Sequence, residues 1–259
     1  MQAKTKSDYN IQTVGLALDI LEQFYGSDNE LGLTELCRRL NLQKNRVFRL
    51  LATLESRNYI EQDKITANYR LGVKNLRLGQ AFVSQTGIQQ QARPVLESLT
   101  EKCEETSYVA VMKDFHIVCL DSVESELPIR TVPSVGVMHP FYCTSAGKIL
   151  AAAMNEKKLL KYYDSGELKR FTSNTIDNPY KLTTHLRKIA ELGYAVGDEE
   201  LEVGAKCVGA PVRDHTKNVV GAVCISGPSM RFTAERINDE LIPLVKEAGK
   251  ELSVRLGYW

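Results

Sequence analysis

The chain has 259 residues, 43% hydrophobic and 25% charged, with a formal net charge of +1. That balance fits one or two globular domains with a sizeable core and excludes a disordered or low-complexity chain. No run of about 18 apolar residues occurs and the start MQAKTKSDYN is polar, so neither a membrane span nor a secretory signal is expected, and the expected location is the cytoplasm.

Charge is uneven along the chain. Residues 1–80 hold 12 Lys/Arg against 9 Asp/Glu, and residues 81–259 hold 21 against 23. An excess of that size does not by itself make a nucleic-acid binder; placement matters more. The six cysteines, at 37, 103, 119, 143, 207 and 224, are scattered without a CxxC, which fits buried thiols better than a disulfide framework.

Ile11, Val14, Ala17, Leu18, Leu21 and Phe24 follow helical spacing and predict a first helix over 11–25, broken by GSDNELG at 26–32. Thr34 is placed to cap a second helix with Leu36 and Leu40 inward, and Asn41 suits a tight turn because Asn tolerates the left-handed conformation. The stretch LNLQKNRVFRLL at 40–51 then puts Val47, Leu50, Leu51 and, beyond it, Leu54 on one buried face. Lys44, Asn45, Arg46 and Arg49 are left outward on a helix running to about Arg57. YIEQDKITANYRL at 59–71 reads as two short strands and a polar turn.

Helix, helix, turn, helix, hairpin is the order of a winged helix-turn-helix, whose helix after the turn enters the DNA major groove. Arg46 and Arg49 suit paired hydrogen bonds to guanine, and Asn45 either reads adenine or caps its helix. Lys44, Arg38, Arg39, Lys64 and Arg70 suit phosphates, which position without specifying sequence. The plain alternative is a solvated basic face.

Residues 73–92 predict a linker helix with a stripe of Leu76, Leu78, Ala81, Phe82 and Val83, able to pair with a second copy, or else the last helix of the first domain. Pro94 is expected to open a helix through Cys103. Strands are expected at 108–113, 116–123, 206–213 and 219–226, and helices at 145–154, 156–163, 180–192 and 233–256. The fold class is α+β: a DNA-binding domain over 1–74, a linker helix over 75–92, and an effector and oligomerisation domain over 93–259 with an antiparallel sheet and flanking helices.

Five segments in order, LTELCRRLNLQKNRVFRLLATLESRNYI with YRLG, HPFYCTSAGKILAA, ELGYAVGDEELEVGAKCVGAPV and ISGPSMR, resemble the IclR-type bacterial transcription regulators. The resemblance spans nearly the whole chain. It implies a winged helix-turn-helix, a linker helix and a GAF-like effector domain, working as a homodimer or dimer of dimers on double-stranded operator DNA under control of a small metabolite, with no cofactor and no membrane partner.

TSAGK begins a helix, so the N–H groups around Ser145, Ala146 and Gly147 are expected to be free for an anion such as a carboxylate. By the resemblance, Ser145 and Ala146 donate to the ligand, Cys207 is a pocket cysteine and Ser226 a pocket serine. Alternation puts Ala222, Cys224 and Ser226 on one sheet face, and position near Cys207 singles out Asp198 from its acidic run. Two departures stand out: Gly197 occupies the position of an acid in the family pattern, and Cys224 that of a second serine. They point away from glyoxylate or pyruvate and toward a larger or more apolar organic acid, such as an aromatic one.

Two rival chemistries are weighed against this. Ser145 and Lys148 spell S-x-x-K, the spacing of a serine hydrolase, without the S-D-N or K-T-G that would accompany it. His139, Cys143, Cys207 and Cys224 offer soft metal ligands but lack the short spacing of a structural zinc site. A ligand-free assembly module is the third alternative; the basic helix face argues against it.

Overall fold

The computed structural model describes residues 10–24, 30–165 and 168–259. The expected helix break across 26–29 and the end of the first helix at Tyr25 lie outside the described residues. The chain divides into two compact units, residues 1–82 and 83–259.

The first unit contains α1 (Gln12–Glu22), α2 (Leu33–Leu40), α3 (Lys44–Ser56), β1 (Ile60–Gln62) and β2 (Tyr69–Leu71). Asn41 turns the chain between α2 and α3 with φ 52°, as its side chain predicts. The buried stripe of α3, Val47, Leu50, Leu51 and Leu54, closes over Ile20, Leu36, Ile60 and Tyr69. Each such side chain contributes roughly 1.5–3 kcal/mol of transfer free energy, which fixes which face of α3 is left outward. The strands pair antiparallel, Ile60 with Leu71, and Leu31 bridges Tyr69 to widen the hairpin base.

Two capping expectations are corrected. Gly32 is the N-cap of α2 and Thr34 lies inside its first turn; Gln43 is the N-cap of α3 and Asn45 lies inside its first turn. Neither cap makes a side-chain bond, so buried apolar faces, rather than capping side chains, set where these helices lie.

The linker region is two helices rather than one: α4 (Lys74–Thr86) and α5 (Ile88–Cys103), separated by Gly87 at φ 63°. The side chains of Phe82 and Val83 lie outside the described residues. Pro94 does not open α5; it sits within it. A proline in a helix interior costs about 3 kcal/mol, but the buried series Ile88, Ala92, Val95, Leu96, Leu99 and Cys103 runs along the face of α5 and offsets it.

In the second unit six antiparallel strands lie in the order β5-β4-β3-β8-β7-β6: β3 (Thr106–Lys113), β4 (His116–Val123), β5 (Met138–Pro140), β6 (Ala195–Asp198), β7 (Ala205–Arg213) and β8 (Val219–Pro228). The interior strands have 8 to 10 residues, and the edges β5 and β6 only 3 and 4. On one face, Val109, Val111, Val223 and Ile225 pack with α5 and α10 (Ile242–Arg255). On the other, Ala110, Ala222 and Cys224 pack with α6 (Ser145–Ala152) and α8 (Pro179–Leu192). A further helix, α7 (Glu156–Ser165), follows α6. The closing segment is broken: α9 (Ala234–Arg236) leads through a π-type turn at Ile237–Leu241 into α10.

Candidate functional site

On α3, Lys44, Asn45, Arg46 and Arg49 are all exposed. Arg46 donates to Gln12 Oε1 at 3.3 Å, and among the described residues neither Arg46 nor Arg49 pairs with a carboxylate. Phe48, 54% exposed on the same helix, stands outside the sequence-level stripe yet belongs to this outer face.

The flanking cations are differently placed. Arg38 and Arg39 both donate to Glu35, at 2.7–2.9 Å from Arg38 and 2.7 Å from Arg39. These guanidiniums pull the Glu35 carboxyl down to about 2, so the carboxylate cancels part of their charge. Arg70 reaches Glu61 across the hairpin at 3.4 Å. Lys64 projects from the hairpin turn, which Asp63 Oδ1 holds by accepting from Ile65 N and Thr66 N at 2.8 Å each. Ile65 caps this turn at 95% exposure.

The second unit contains a cavity of about 430 Å³. Its sheet wall is Tyr108, Ile117, Cys119, Cys207 and Ser226; Cys143 and Thr144 come from the turn that leads into α6; Gly197, Glu200 and Leu201 come from β6 and the turn after it. A strap between β4 and β5 supplies Arg130, Thr131, Val132 and Val137. The strap is tied to the sheet end: Thr131 Oγ1 and Ser226 Oγ share a hydrogen bond of 2.7 Å, and Thr106 Oγ1 donates to Thr131 O at 2.8 Å. Glu105, fully buried, clamps Arg231 at 2.6 Å through both oxygens, and Arg231 also donates to Ile129 O at 2.9 Å.

Of the expected effector contacts, the structure brings Cys207 and Ser226 onto the cavity wall and places Ser145, Ala146, Gly147, Asp198 and Cys224 off it. Ser145 is fully buried just behind the wall and donates to Cys207 Sγ at 3.0 Å and Cys224 Sγ at 3.5 Å. Its backbone N–H and that of Ala146 have no hydrogen-bond partner among the described residues. Gly147 N–H is taken, donating to Thr144 Oγ1 at 3.1 Å, and its α-carbon packs so closely on the Phe141 backbone that a side chain would collide there. Cys224 lies behind the wall, and burial pushes its thiol, like that of Cys143, up to about 12. Asp198 is exposed and paired with Lys206 at 2.8 Å, off the wall.

The S-x-x-K pattern has a different job here. Lys148 is fully buried and its Nζ is committed to Glu200 Oε1 and to Val196 O, the latter at 2.8 Å, with no bond to Ser145. Glu200 Oε2 is buried and has no hydrogen-bond partner among the described residues. Among the described residues no three His, Cys, Asp or Glu side chains converge as a metal site. No described helix is long and apolar enough to cross a membrane.

Comparison with known proteins bears directly on this architecture. The bacterial transcriptional regulator IclR C-terminal domain matches residues 80–254, and the IclR helix-turn-helix domain matches residues 13–64. The chain belongs to the IclR family of bacterial transcriptional regulators. It is therefore a helix-turn-helix regulator rather than an enzyme. It is 31% identical over 249 residues to the regulator XynR of Escherichia coli K12, covering 96% of this chain and 98% of that one. Its structure resembles the IclR of Thermotoga maritima, with a TM-score of 0.80 and 32% identity over 96% of this chain and all of that one. The fold also matches an IclR homolog from Microbacterium hydrocarbonoxydans solved with 4-hydroxybenzoate, with a TM-score of 0.82 and 20% identity over 95% and 99% of the two chains.

Within this IclR-type frame, the wall residues that sequence reasoning did not single out include Tyr108, Thr131 and Glu200, and His139, weighed there only as a metal ligand, also lies on the wall. A tyrosine inside an apolar strand reads as core, and the strap has no periodicity to mark it. The signal for Tyr108 lay in register: it pairs with Cys224, itself flanked on β8 by Ser226 two residues on.

Proposed function

We propose that α3 reads double-stranded operator DNA, with Arg46 and Arg49 on base edges, and that a small organic acid in the 430 Å³ cavity changes operator affinity. The observation that carries the DNA reading is the outward pair Arg46 and Arg49, free of carboxylates among the described residues, on the helix after a left-handed turn. Asn45 lies beside them, and Lys44 and Lys64 contribute phosphate contacts; Arg38, Arg39 and Arg70 contribute with charge partly offset by Glu35 and Glu61.

The cavity falls in the range of roughly 300–1,000 Å³ typical of small-molecule sites. Ile117, Val132, Val137 and Leu201 make much of its wall apolar, and Gly197 withholds a side chain next to Cys207. That supports an acid larger than glyoxylate or pyruvate, with an aromatic or extended apolar body. The 4-hydroxybenzoate bound by the Microbacterium homolog is a ligand of that kind. The protein works in the cytoplasm as a homodimer or dimer of dimers.

The test is fluorescence anisotropy on duplexes selected from a random pool by the purified protein, at several salt concentrations, with and without aromatic acids. A salt-dependent, sequence-selective complex whose affinity moves with an acid is expected. Binding that ignores sequence, or that no acid alters, overturns the corresponding half.

A further inference from the structure

Of the cavity's charged side chains, the two cations Arg130 and Lys206 are committed elsewhere, and Glu202, whose charge acts on His139, adds a carboxylate. Arg130 donates to Glu124 at 2.9 Å, Lys206 pairs with Asp198 at 2.8 Å, and the buried Lys148 behind the wall is held by Glu200. Burial depresses the ionisation of His139, so at neutral pH its ring brings no full charge. Three wall hydroxyls, those of Ser226, Thr131 and Thr144, are also engaged. Ser226 shares its bond with Thr131, and Thr144 Oγ1 accepts from Gly147 N and donates to Phe141 O at 3.4 Å.

Tyr108 carries the other hydroxyl of the sheet wall. It lies on β3 opposite Cys224, and its hydroxyl faces the Cys224 thiol and Ser145. A sulfur is a weak acceptor, and the Ser145 oxygen, whose own proton is directed to Cys207 and Cys224, is the other, uncharged acceptor within reach of the phenol. Burial first, then the neighbouring Cys224 and Cys207, hold the phenol well above its ordinary ionisation range, so it keeps its proton. A phenol in this position is a donor whose present acceptors, a thiol and a serine oxygen, are both uncharged, next to the N–H groups of Ser145 and Ala146, which have no partner among the described residues.

We infer that Tyr108 is a specificity-determining residue: its hydroxyl donates to the carboxylate of the effector and anchors the acid end of the ligand against the start of α6. This rests on the reading of the cavity as an acid-binding site. Exchanging a thiol for a carboxylate oxygen gives a short, charge-assisted O–H···O bond, of roughly 2.5–2.7 Å. The ligand's body then extends along Ile117 and the strap, where Val132 and Val137 lie.

The test uses the full chain and three acids, benzoate, 4-hydroxybenzoate and phenylacetate, each beside its carboxamide, titrated by calorimetry into the native protein and Tyr108→Phe. Thermal melts show that the variant is folded, since only a hydroxyl is removed. The expected result is a loss of roughly 10- to 100-fold for the acids, the scale of a hydrogen bond to a charged group, with little change for the carboxamides. In protein carrying tyrosine labelled with carbon-13 at Cζ, the Tyr108 resonance should move with acid and not with amide. Acid affinity unchanged in Tyr108→Phe overturns the assignment while leaving the cavity an acid site, as does an equal loss for acids and amides. If the native protein binds none of the three acids, both the assignment and the acid-binding reading fall.

Discussion

Replacing Lys148 by Met tests how the start of α6 is held. The Lys148 side chain is fully buried and its partner Glu200 is 7% exposed, so water offers neither a substitute. Removing the ammonium leaves Glu200 Oε1 without its donor while Oε2 already lacks one, and also frees Val196 O. Breaking a buried pair by deleting one partner costs about 3–5 kcal/mol, whereas replacing both by apolar groups of similar volume is often close to neutral. The expected result is a loss of about 4 kcal/mol in Lys148→Met, of which the double variant Lys148→Met/Glu200→Leu regains more than half. Urea unfolding of the full chain followed by circular dichroism, with the transitions of the two units fitted separately, measures both. Equal losses in the single and double variants, or a single-variant loss under about 1 kcal/mol, the scale of an exposed pair, would refute the argument that desolvation dominates here.

Three further outcomes are expected. Arg46→Ala and Arg49→Ala should each lose about 1–3 kcal/mol on the preferred duplex and relax preference at one base pair, while Lys64→Ala weakens all duplexes alike; anisotropy on single-base variants of the site separates the two patterns. Gly147→Ala forces a methyl group into the Phe141 backbone beneath a buried helix and should cost about 1–3 kcal/mol or more in the urea transition of the second unit, with the first unit unaffected. His185 is pushed down to about 4, chiefly by burial and then by the charges of Lys148 and Lys188, so the unfolded chain takes up its proton first. Stability should therefore be complete above about pH 6.5 and fall as pH drops toward 4, by on the order of 1 kcal/mol once solvent screening of the partly exposed ring is allowed for. His185→Gln should flatten that slope in melting curves taken between pH 4 and 7, and parallel slopes would count against it.

The parts of the molecule legible in the sequence are those where one residue does one physical job. The stripe Val47, Leu50, Leu51 and Leu54 announces a one-sided helix, Asn41 announces the turn before it, and alternation through Ala222, Cys224 and Ser226 announces the wall behind the cavity. Legibility failed where tertiary packing overrode local preference. Pro94 reads as a helix start, but burial along the α5 face carries the helix six residues further back. Met138–Pro140 and Ala195–Asp198 are too short for alternation to declare them as strands. Tyr108, Thr131 and Glu200 come together on the cavity wall only through sheet register and the strap, and no spacing along the chain encodes that meeting.

The brevity of β5 and β6 has a bearing beyond the cavity. A sheet whose long inner strands were bordered by equally long ones would offer open ladders of N–H and C=O groups to any passing extended chain. Here the borders end after three and four residues, and one of them finishes in Pro140, which has no N–H to give. The molecule is thereby guarded against stacking into fibrils through its sheet.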